Sequence, residues 1–234
     1  MRKGEQTKQQ MVAAAEELFL TRGYEATSVQ DILDVVHGSK GGFYHHFESK
    51  DDVLKLLCAQ HAQKAATEAM GSLNTQAGDA VKRLSLLLQA AMPLRLDNTP
   101  FLSLLLPMLD RQESVAVRVT YQQSLAECFQ PLLQAEIDCA VEDKLMYTRV
   151  PGAAAPVMLL TNECWLQLAL CILRGAQKGQ VCDSGALLDI LKTWRKSVEL
   201  MLEAPFGSIE LLPIQDAEEA AIRLTEMYHQ HSAR

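Results

Sequence analysis

The run from Ser39 to Lys50 reads SKGGFYHHFESK and groups two lysines, two glycines and an aromatic–imidazole cluster. Ser39 can cap a helix, because a serine hydroxyl accepts a hydrogen bond from a free backbone N–H of the first turn. Ser49 is a second cap-like residue, so the predicted helix is short and another begins at about Lys50. A short helix that presents Lys40 and Tyr44 suits a partner surface that is flat, polar and negatively charged.

A second short helix is predicted directly before this one, from Ser28 to Val35, with Thr27 or Ser28 as its cap. Gly38 lies near the turn between the two helices, where we expect a positive φ that glycine adopts at little cost. Two short helices joined by a tight glycine-containing turn are typical of a helix-turn-helix.

A third helix completes the predicted unit. An apolar stripe starting at Met11 marks a helix from Thr7 to about Gly23, with Gly23 as a left-handed cap. Phe43 and Phe47 are four residues apart and share one face of their helix, so we expect them to pack in a three-helix core.

These segments resemble the N-terminal DNA-binding domain of TetR-family transcriptional regulators. The resemblance rests on Gly23–Val29 (GYEATSV), Ser39–Phe47 (SKGGFYHHF) and Ser49–Lys50, and it covers roughly residues 7–56. His37–Gly38 departs from the family pattern, which more often has Gly then Val, and the departure shifts the glycine by one place.

The resemblance implies a homodimer that binds a palindromic double-stranded DNA operator, usually as a repressor, and is released by a small-molecule effector. Phosphate contacts are implied for Tyr44 and His45. Gly42 stands where the family places variable base-reading side chains, so we expect fewer direct hydrogen bonds to bases and more reliance on DNA shape. The full set of implied DNA contacts is Thr27, Ser28, Ser39, Lys40, Gly41, Gly42, Tyr44, His45 and Lys50.

The charge balance argues against a generic polyanion-binding protein. The formal net charge is −7, and the first fifty residues hold six Lys and Arg against seven Asp and Glu. DNA binding therefore depends on locally placed cations. These are Arg2, Lys3 and Lys8 at the N-terminal end, with Lys40 and Lys50 beside the second short helix. The alternative is a helical dimeric adaptor or sensor that does not bind DNA.

Composition favours an all-α, cytoplasmic protein. Hydrophobic residues make up 48% of the chain and aromatic residues only 6%, so the core is mainly aliphatic and helix-favouring.

The six cysteines form no CxxC pair and no histidine stands at metal-ligand spacing. No leader segment opens the chain. We expect reduced, buried thiols without a metal or cofactor, with redox or metal sensing as the alternative.

Two domains are predicted: a helix-turn-helix domain over residues 1–50, and a larger helical ligand-binding and dimerisation domain over 51–234. A connecting helix spans about residues 50–70, and the polar stretch 71–78 is interpreted as a loop at the boundary. Further helices are predicted over about 79–92, 100–110 with a kink at Pro107, 113–144 with a bend or break at Pro131, 153–173 and 214–228.

The stretch 153–173 is long and apolar enough to suggest a membrane span. Thr161, Asn162 and Gln167 near its centre argue against that interpretation, so we expect no membrane association. A helix that is apolar nearly all round is instead buried on two sides, against its own core and against a second subunit. The next helix has the 3–4 spacing to join that interface with Leu187, Leu191, Trp194, Val198 and Met201.

Polar groups inside an apolar helix are costly unless they are satisfied. Asn162 and Trp165 therefore either bond across the subunit interface or line a ligand cavity. The candidate pocket comprises Met92, Met108, Phe129, Asn162 and Trp165. The sequence shows no GxSxG, no paired carboxylates on a polar face near a histidine and no phosphate-binding glycine loop, so we expect no enzymatic activity.

Overall fold

The structure, a computed structural model, describes residues 3–75, 78–109 and 115–232, which form helices and connecting turns without a strand. The all-α prediction is confirmed. The helices are α1 (Lys3–Arg22), α2 (Val29–Val36), α3 (Lys40–His46), α4 (Lys50–Thr75), α5 (Ala80–Ala90), α6 (Thr99–Leu105), α7 (Val115–Glu142), α8 (Ala154–Gln177), α9 (Ser184–Met201) and α10 (Ile214–Ser232).

Helices α1 to α3 form a small N-terminal unit, and α4 leads from it into the larger helical domain. α4 is 26 residues long and extends to Thr75. Our prediction of a loop from Gly71 is therefore wrong over 71–75. A Cβ built on Gly71 would meet nothing within 4 Å, so no close contact requires a glycine there. Packing of α4 against α7 and α5 outweighs the low helix propensity of glycine.

Pro107, which follows α6, and Pro131, which lies inside α7, affect the chain differently. α6 ends at Leu105, and Pro107 lies in a 3₁₀ turn over Leu106–Met108, in accord with the predicted kink. The rest of that predicted helix reaches Asp110, which lies outside the described residues. Pro131 sits inside α7 without ending it, so the chain does not break there as we allowed. Loss of one backbone hydrogen bond is tolerated because Phe129 and Leu133 are buried on either side.

In the larger domain, α4 and α5 pack on α7, α8 packs on α9, and α10 lies against α8 and α6. α8 is, by length and composition, long and apolar enough to span a bilayer. Its inner face is nevertheless buried within the bundle, from Val157 through Leu168 to Ile172. This burial explains its high apolar content.

The polar groups of α8 are satisfied within the chain. Trp165 Nε1 donates to Asn162 Oδ1 at 3.3 Å, and Asn162 Nδ2 donates to the Gln122 carbonyl at 3.3 Å. The hydroxyl of Thr161 accepts from Trp194 Nε1 at 3.2 Å. We expected Asn162 and Trp165 to bond across a subunit interface or to line a cavity. Asn162 and Trp165 instead bond to each other and to α7, while Thr161 links α8 to α9.

The α9 residues that we placed in a subunit interface mostly face the protein's own core. Leu187, Leu191, Trp194 and Val198 are buried within the single chain. The outer face of α8 and α9 carries other apolar residues instead. Leu159 is 69% exposed and Leu200 is 78% exposed.

The cysteines correct our prediction of reduced, buried thiols. Cys171 on α8 and Cys182 before α9 form a disulfide, with their Cα atoms 6.1 Å apart. The turn between α8 and α9 brings them within the range that a disulfide needs, although their spacing in the sequence does not signal a pair. Of the thiols that remain free, Cys139 is exposed and Cys128 is half-buried. Burial raises the pKa of Cys58 and of Cys164 to about 12.

Candidate nucleic-acid interface

The first helix of the helix-turn-helix is fixed by its cap. Ser28 Oγ accepts from the Asp31 backbone N–H at 3.2 Å, and the Asp31 carboxylate accepts from the Ser28 backbone N–H at 2.7 Å. This reciprocal capping box closes the start of α2. The hydrogen bonds from Ser28 lower the pKa of Asp31 below its ordinary value. Ser28 is exposed, so its position is compatible with the predicted DNA contact.

The turn between α2 and α3 differs from our expectation. The positive φ belongs to His37, at +50°, and not to Gly38. Gly38 is needed for space instead, because a Cβ there would lie 2.9 Å from Leu33 Cδ2 and 3.1 Å from Val36 Cγ2. The shift of the glycine by one place is therefore accommodated by a left-handed histidine and by close packing of the turn onto α2.

α3 is capped as predicted, since Ser39 Oγ accepts from the Gly42 backbone N–H at 3.1 Å. Phe43 and Phe47 point inward and are buried, and their ring centroids lie 5.4 Å apart. They hold the short helix against α1, where Met11 and Phe19 are also buried. The predicted three-helix core is present.

The opposite face of α3 is open. Tyr44 is 58% exposed, and its ring packs edge-on against Phe43. Lys40, Gly41 and His45 are exposed beside it. No atom lies within 4 Å of a Cβ built on Gly41, so another molecule can approach its backbone closely. This face (Lys40, Gly41, Tyr44 and His45) is called the α3 face below.

A groove of about 580 Å³ borders the α3 face and is lined in part by Lys8, Tyr44 and His46. The Lys8 ammonium lies 5.8 Å from the Phe47 ring centroid and supplies a cation from α1. Arg2 and the side chain of Lys3, our other N-terminal cations, lie outside what the structure describes. Among the described residues, no group of three metal-ligating side chains is present.

Thr27 does not lie on this open surface. Its side chain is buried, and its hydroxyl lies 2.9 Å from the Gly23 carbonyl and 3.3 Å from the Leu18 carbonyl, to which it donates. The hydroxyl therefore fixes the loop between α1 and α2. We expected a DNA contact at Thr27, and the structure gives its side chain a structural role instead.

Lys50 is also engaged within the protein. Its ammonium donates to the Tyr24 carbonyl at 3.0 Å and to the Thr27 carbonyl at 3.3 Å, and it lies 4.2 Å from the Tyr24 ring centroid. The Tyr24 hydroxyl in turn donates to Asp51. These contacts fasten α4 to the α1–α2 loop. The predicted phosphate contact at Lys50 would have to replace them.

A partly buried contact joins the small unit to the larger domain. His61 Nε2 on α4 lies 2.8 Å from Glu16 Oε1 on α1 and shares a hydrogen bond with it. The His61 ring stacks on Phe101 of α6, with ring centroids 3.8 Å apart. The hydrogen bond from His61 lowers the pKa of Glu16 despite the opposing effect of burial. The sequence analysis predicted a connecting helix over about residues 50–70 but did not identify this role of His61.

The predicted ligand pocket is not a shared cavity. Met92 borders a cavity of about 30 Å³ that is also lined by His61, Asn98 and Tyr121. Met108, Phe129, Asn162 and Trp165 lie outside that lining. Their side chains are all buried, and Asn162 and Trp165 satisfy each other. The cavity thus lies between α4, α7 and the segment before α6, closer to the DNA-binding unit than we predicted.

Arg95 separates this cavity from an outer groove of about 460 Å³. Its guanidinium donates to Asp97 Oδ2 at 2.6 Å and to Glu68 Oε2 at 3.2 Å. Burial alone would lower the pKa of Arg95, but pairing with Asp97 and Glu68 outweighs burial and raises it. The cluster was not visible in the sequence, because Glu68 lies 27 residues from Arg95.

The N-terminal unit matches a known family model. Residues 11–57 match the model described as bacterial regulatory proteins, tetR family. Among curated relatives, an HTH-type transcriptional regulator of Lactococcus lactis, uncharacterised and named for the lacX 3' region, is 37% identical over 57 residues. The match spans 24% of this chain and 29% of that protein.

A second relative, the HTH-type transcriptional repressor DhaR of a Mycobacterium species, is 46% identical over 44 residues, which are 19% of this chain and 22% of that protein. The chain therefore spans less than a third of the length of either relative in these matches.

The whole fold also resembles solved structures. FadR from Bacillus subtilis, solved in complex with stearoyl-CoA, superposes with a TM-score of 0.55 at 16% identity, over 86% of this chain and 99% of that one. At this identity the likeness shows a shared fold of an N-terminal helix-turn-helix unit and a larger helical domain. The matched residues include α2, the turn and the α3 face. Residues 11–57 of this chain, in its N-terminal unit, thus match the model of the tetR family of bacterial regulatory proteins.

Proposed function

We propose that this protein is a transcriptional regulator that binds double-stranded DNA through the α3 face, in the cytoplasm and without a cofactor. The proposal rests on one observation: one side of α3 is packed against the protein and the other side is exposed. Phe43 and Phe47 fix one side of a capped helix, and Tyr44 and Lys40 stand open on the other. The match of residues 11–57 to the family model supports this proposal. DhaR, one matched relative, is described as a repressor, and we propose repression here.

We propose that the working form is a homodimer. The outer face of α8 and α9 supports this, since Leu159 and Leu200 are largely exposed there and an apolar groove of about 330 Å³ runs beside Ile190. Exposed apolar area of this kind marks an association surface. A two-fold dimer would present two α3 helices to successive major grooves, so the operator should be a pseudopalindrome.

Effector control is proposed to act through α4. The FadR structure that shares this fold contains stearoyl-CoA, and we infer that this chain also binds a small molecule in its larger domain. The contact between Glu16 and His61 links that domain to α1, and Phe101 extends it to Tyr121, with ring centroids 5.5 Å apart. A ligand that moves His61 would change the position of α1. Its effect is limited by its difference in affinity for the two states.

The test is a gel shift with DNA fragments flanking the protein's own gene. Tyr44→Phe removes one hydroxyl from the α3 face, and Lys40→Ala removes its cation. We expect each variant to bind DNA about 5- to 10-fold more weakly than the wild type, since a lost hydrogen bond to a charged group contributes roughly 1 kcal/mol or more.

Lys82→Ala is the matched control, because Lys82 is an exposed cation at the start of α5 in the larger domain. Its DNA affinity should equal that of the wild type. Equal affinity of Tyr44→Phe, Lys40→Ala and the wild type would contradict the α3 face as the DNA-binding surface. Failure of the wild type to bind any fragment at low ionic strength would favour the adaptor alternative.

A further inference from the structure

The outer groove beside Arg95 combines an apolar floor with a negative rim. Leu86, Leu96 and Leu212 contribute apolar surface from α5, the segment before α6 and the segment before α10. The charged lining residues are three carboxylates and one guanidinium, a net charge of −2. A net negative, partly apolar groove attracts cations and repels anions.

The carboxylates are unequally neutralised. Glu68 and Asp97 share the Arg95 guanidinium, and Glu68 also lies 4.0 Å from the Lys64 ammonium. Asp216, in the first turn of α10, is half-buried and forms no ion pair with any residue that the structure describes. Its negative charge therefore faces the groove without a paired cation among the described residues.

Arg95 lies between this groove and the inner cavity. Both are lined by Glu68, Ala90, Arg95 and Asp97. The side chain of Arg95 is 25% exposed, so it can leave its partners for solvent once another cation replaces it. Beyond it, the inner cavity offers the rings of His61 and Tyr121, and aromatic faces attract cations.

We propose that the effector of this protein is a lipophilic cation that binds the outer groove and replaces the Arg95 guanidinium between Glu68 and Asp97. The proposal rests on the proposed function, because it assigns the effector class of the same larger domain. Asp216 adds attraction for the incoming charge, and the leucines receive its apolar body. Release of Arg95 opens the way to His61, which contacts Glu16 of the DNA-binding unit.

The test uses two probes of equal shape and opposite charge, tetraphenylphosphonium and tetraphenylborate, titrated into the full chain by isothermal calorimetry. We expect the cation to bind at least about 10-fold more tightly than the anion, with an affinity that falls as salt is added. Equal or tighter binding of the anion would overturn the proposal, since it would assign recognition to Arg95 instead.

Variants of Asp216 and Arg95 should change the affinity for the cation in opposite directions. Asp216→Asn should weaken cation binding about 5-fold, and it breaks no ion pair that the fold uses. Arg95→Gln should tighten cation binding by a similar factor, because the competing guanidinium is gone. Glu226→Gln, an exposed carboxylate on the same helix as Asp216, is the matched control and should bind like the wild type.

Circular dichroism checks that each variant is folded. Weaker cation binding by folded Arg95→Gln, or an Asp216→Asn effect no larger than that of Glu226→Gln, would overturn the exchange mechanism. Binding is measured without DNA, so its failure leaves operator binding in the gel shift as the separate test of the proposed function.

Discussion

At the scale of single residues, two glycines of the helix-turn-helix serve opposite needs. A Cβ on Gly38 would meet Leu33 at 2.9 Å, whereas a Cβ on Gly41 meets nothing within 4 Å. Gly38→Ala should therefore lower the free energy of unfolding by about 1–3 kcal/mol through overpacking. Gly41→Ala should leave stability unchanged or raise it by about 0.5–1 kcal/mol, because alanine favours a helix.

Chemical denaturation measures both effects, and gel shifts separate stability from binding. We expect Gly41→Ala to bind DNA more weakly although it is fully folded, since the added methyl group keeps the backbone away from the groove. Wild-type DNA affinity in folded Gly41→Ala would contradict close approach at this residue. The absence of a stability loss in Gly38→Ala would contradict the packing of the turn.

Lys40 and Lys50 provide a matched pair of cations. Lys50 donates to the Tyr24 and Thr27 carbonyls, so Lys50→Met should lower the free energy of unfolding by about 1–2 kcal/mol. Its DNA affinity should keep the salt dependence of the wild type. Lys40→Met should do the reverse: stability is retained, and the slope of log affinity against log salt becomes shallower by about 1.

Affinity measured by fluorescence anisotropy over a salt series decides between these roles. A slope for Lys50→Met that is shallower by about 1 would show that its ammonium leaves the carbonyls and contacts phosphate, as the sequence first suggested. The family resemblance placed Lys50 near DNA. The sequence could not show that two carbonyls more than twenty residues away would occupy its ammonium.

At the scale of helices, the features that depend on neighbouring residues were predicted most reliably from the sequence. Ser28 and Ser39 cap α2 and α3 as predicted, because a cap depends on residues within one turn. Pro131 does not break α7, because packing on both sides of it holds the helix together, and a bend there stays a prediction. The Cys171–Cys182 disulfide was missed because it depends on the geometry of the turn between α8 and α9, and the Arg95 cluster was missed because Glu68 is distant in the sequence.

The contact between α1 and α4 has a testable pH dependence. His61 lowers the pKa of Glu16 below its ordinary 4.5. A carboxyl with a lowered pKa in the folded state stabilises the fold above pH 4.5, and this stabilisation is lost as pH falls through the lowered value. Glu16→Gln should therefore lower the free energy of unfolding by about 0.5–1 kcal/mol near neutral pH. The effect is small because Glu16 is about one-third exposed.

The difference in free energy of unfolding between Glu16→Gln and the wild type should shrink as the pH falls below 4.5. Urea unfolding at several pH values measures this difference. Glu17→Gln is the control, since Glu17 is the exposed neighbour on the same helix. A Glu16→Gln difference that is constant with pH, or that Glu17→Gln reproduces, would contradict the ionic link between α1 and α4.

At the scale of the whole molecule, the structure joins an N-terminal helix-turn-helix unit to a helical domain in which Leu159 on α8 and Leu200 on α9 are exposed. The sequence predicted this division, but not which residues of α9 would remain exposed. Leu187 and Leu191 have the same apolar character as Leu200, yet only Leu200 is left for a partner. Periodicity identifies an apolar face without saying what covers it.

Hydroxyl-radical footprinting of the protein on DNA flanking its own gene tests the central claim most directly. Two α3 faces in a two-fold dimer should protect two half-sites related by symmetry, with centres about 34–36 Å apart, one turn of DNA. Tyr44→Phe should weaken protection of both half-sites equally. A single protected segment, or no protection at low ionic strength, would contradict the account.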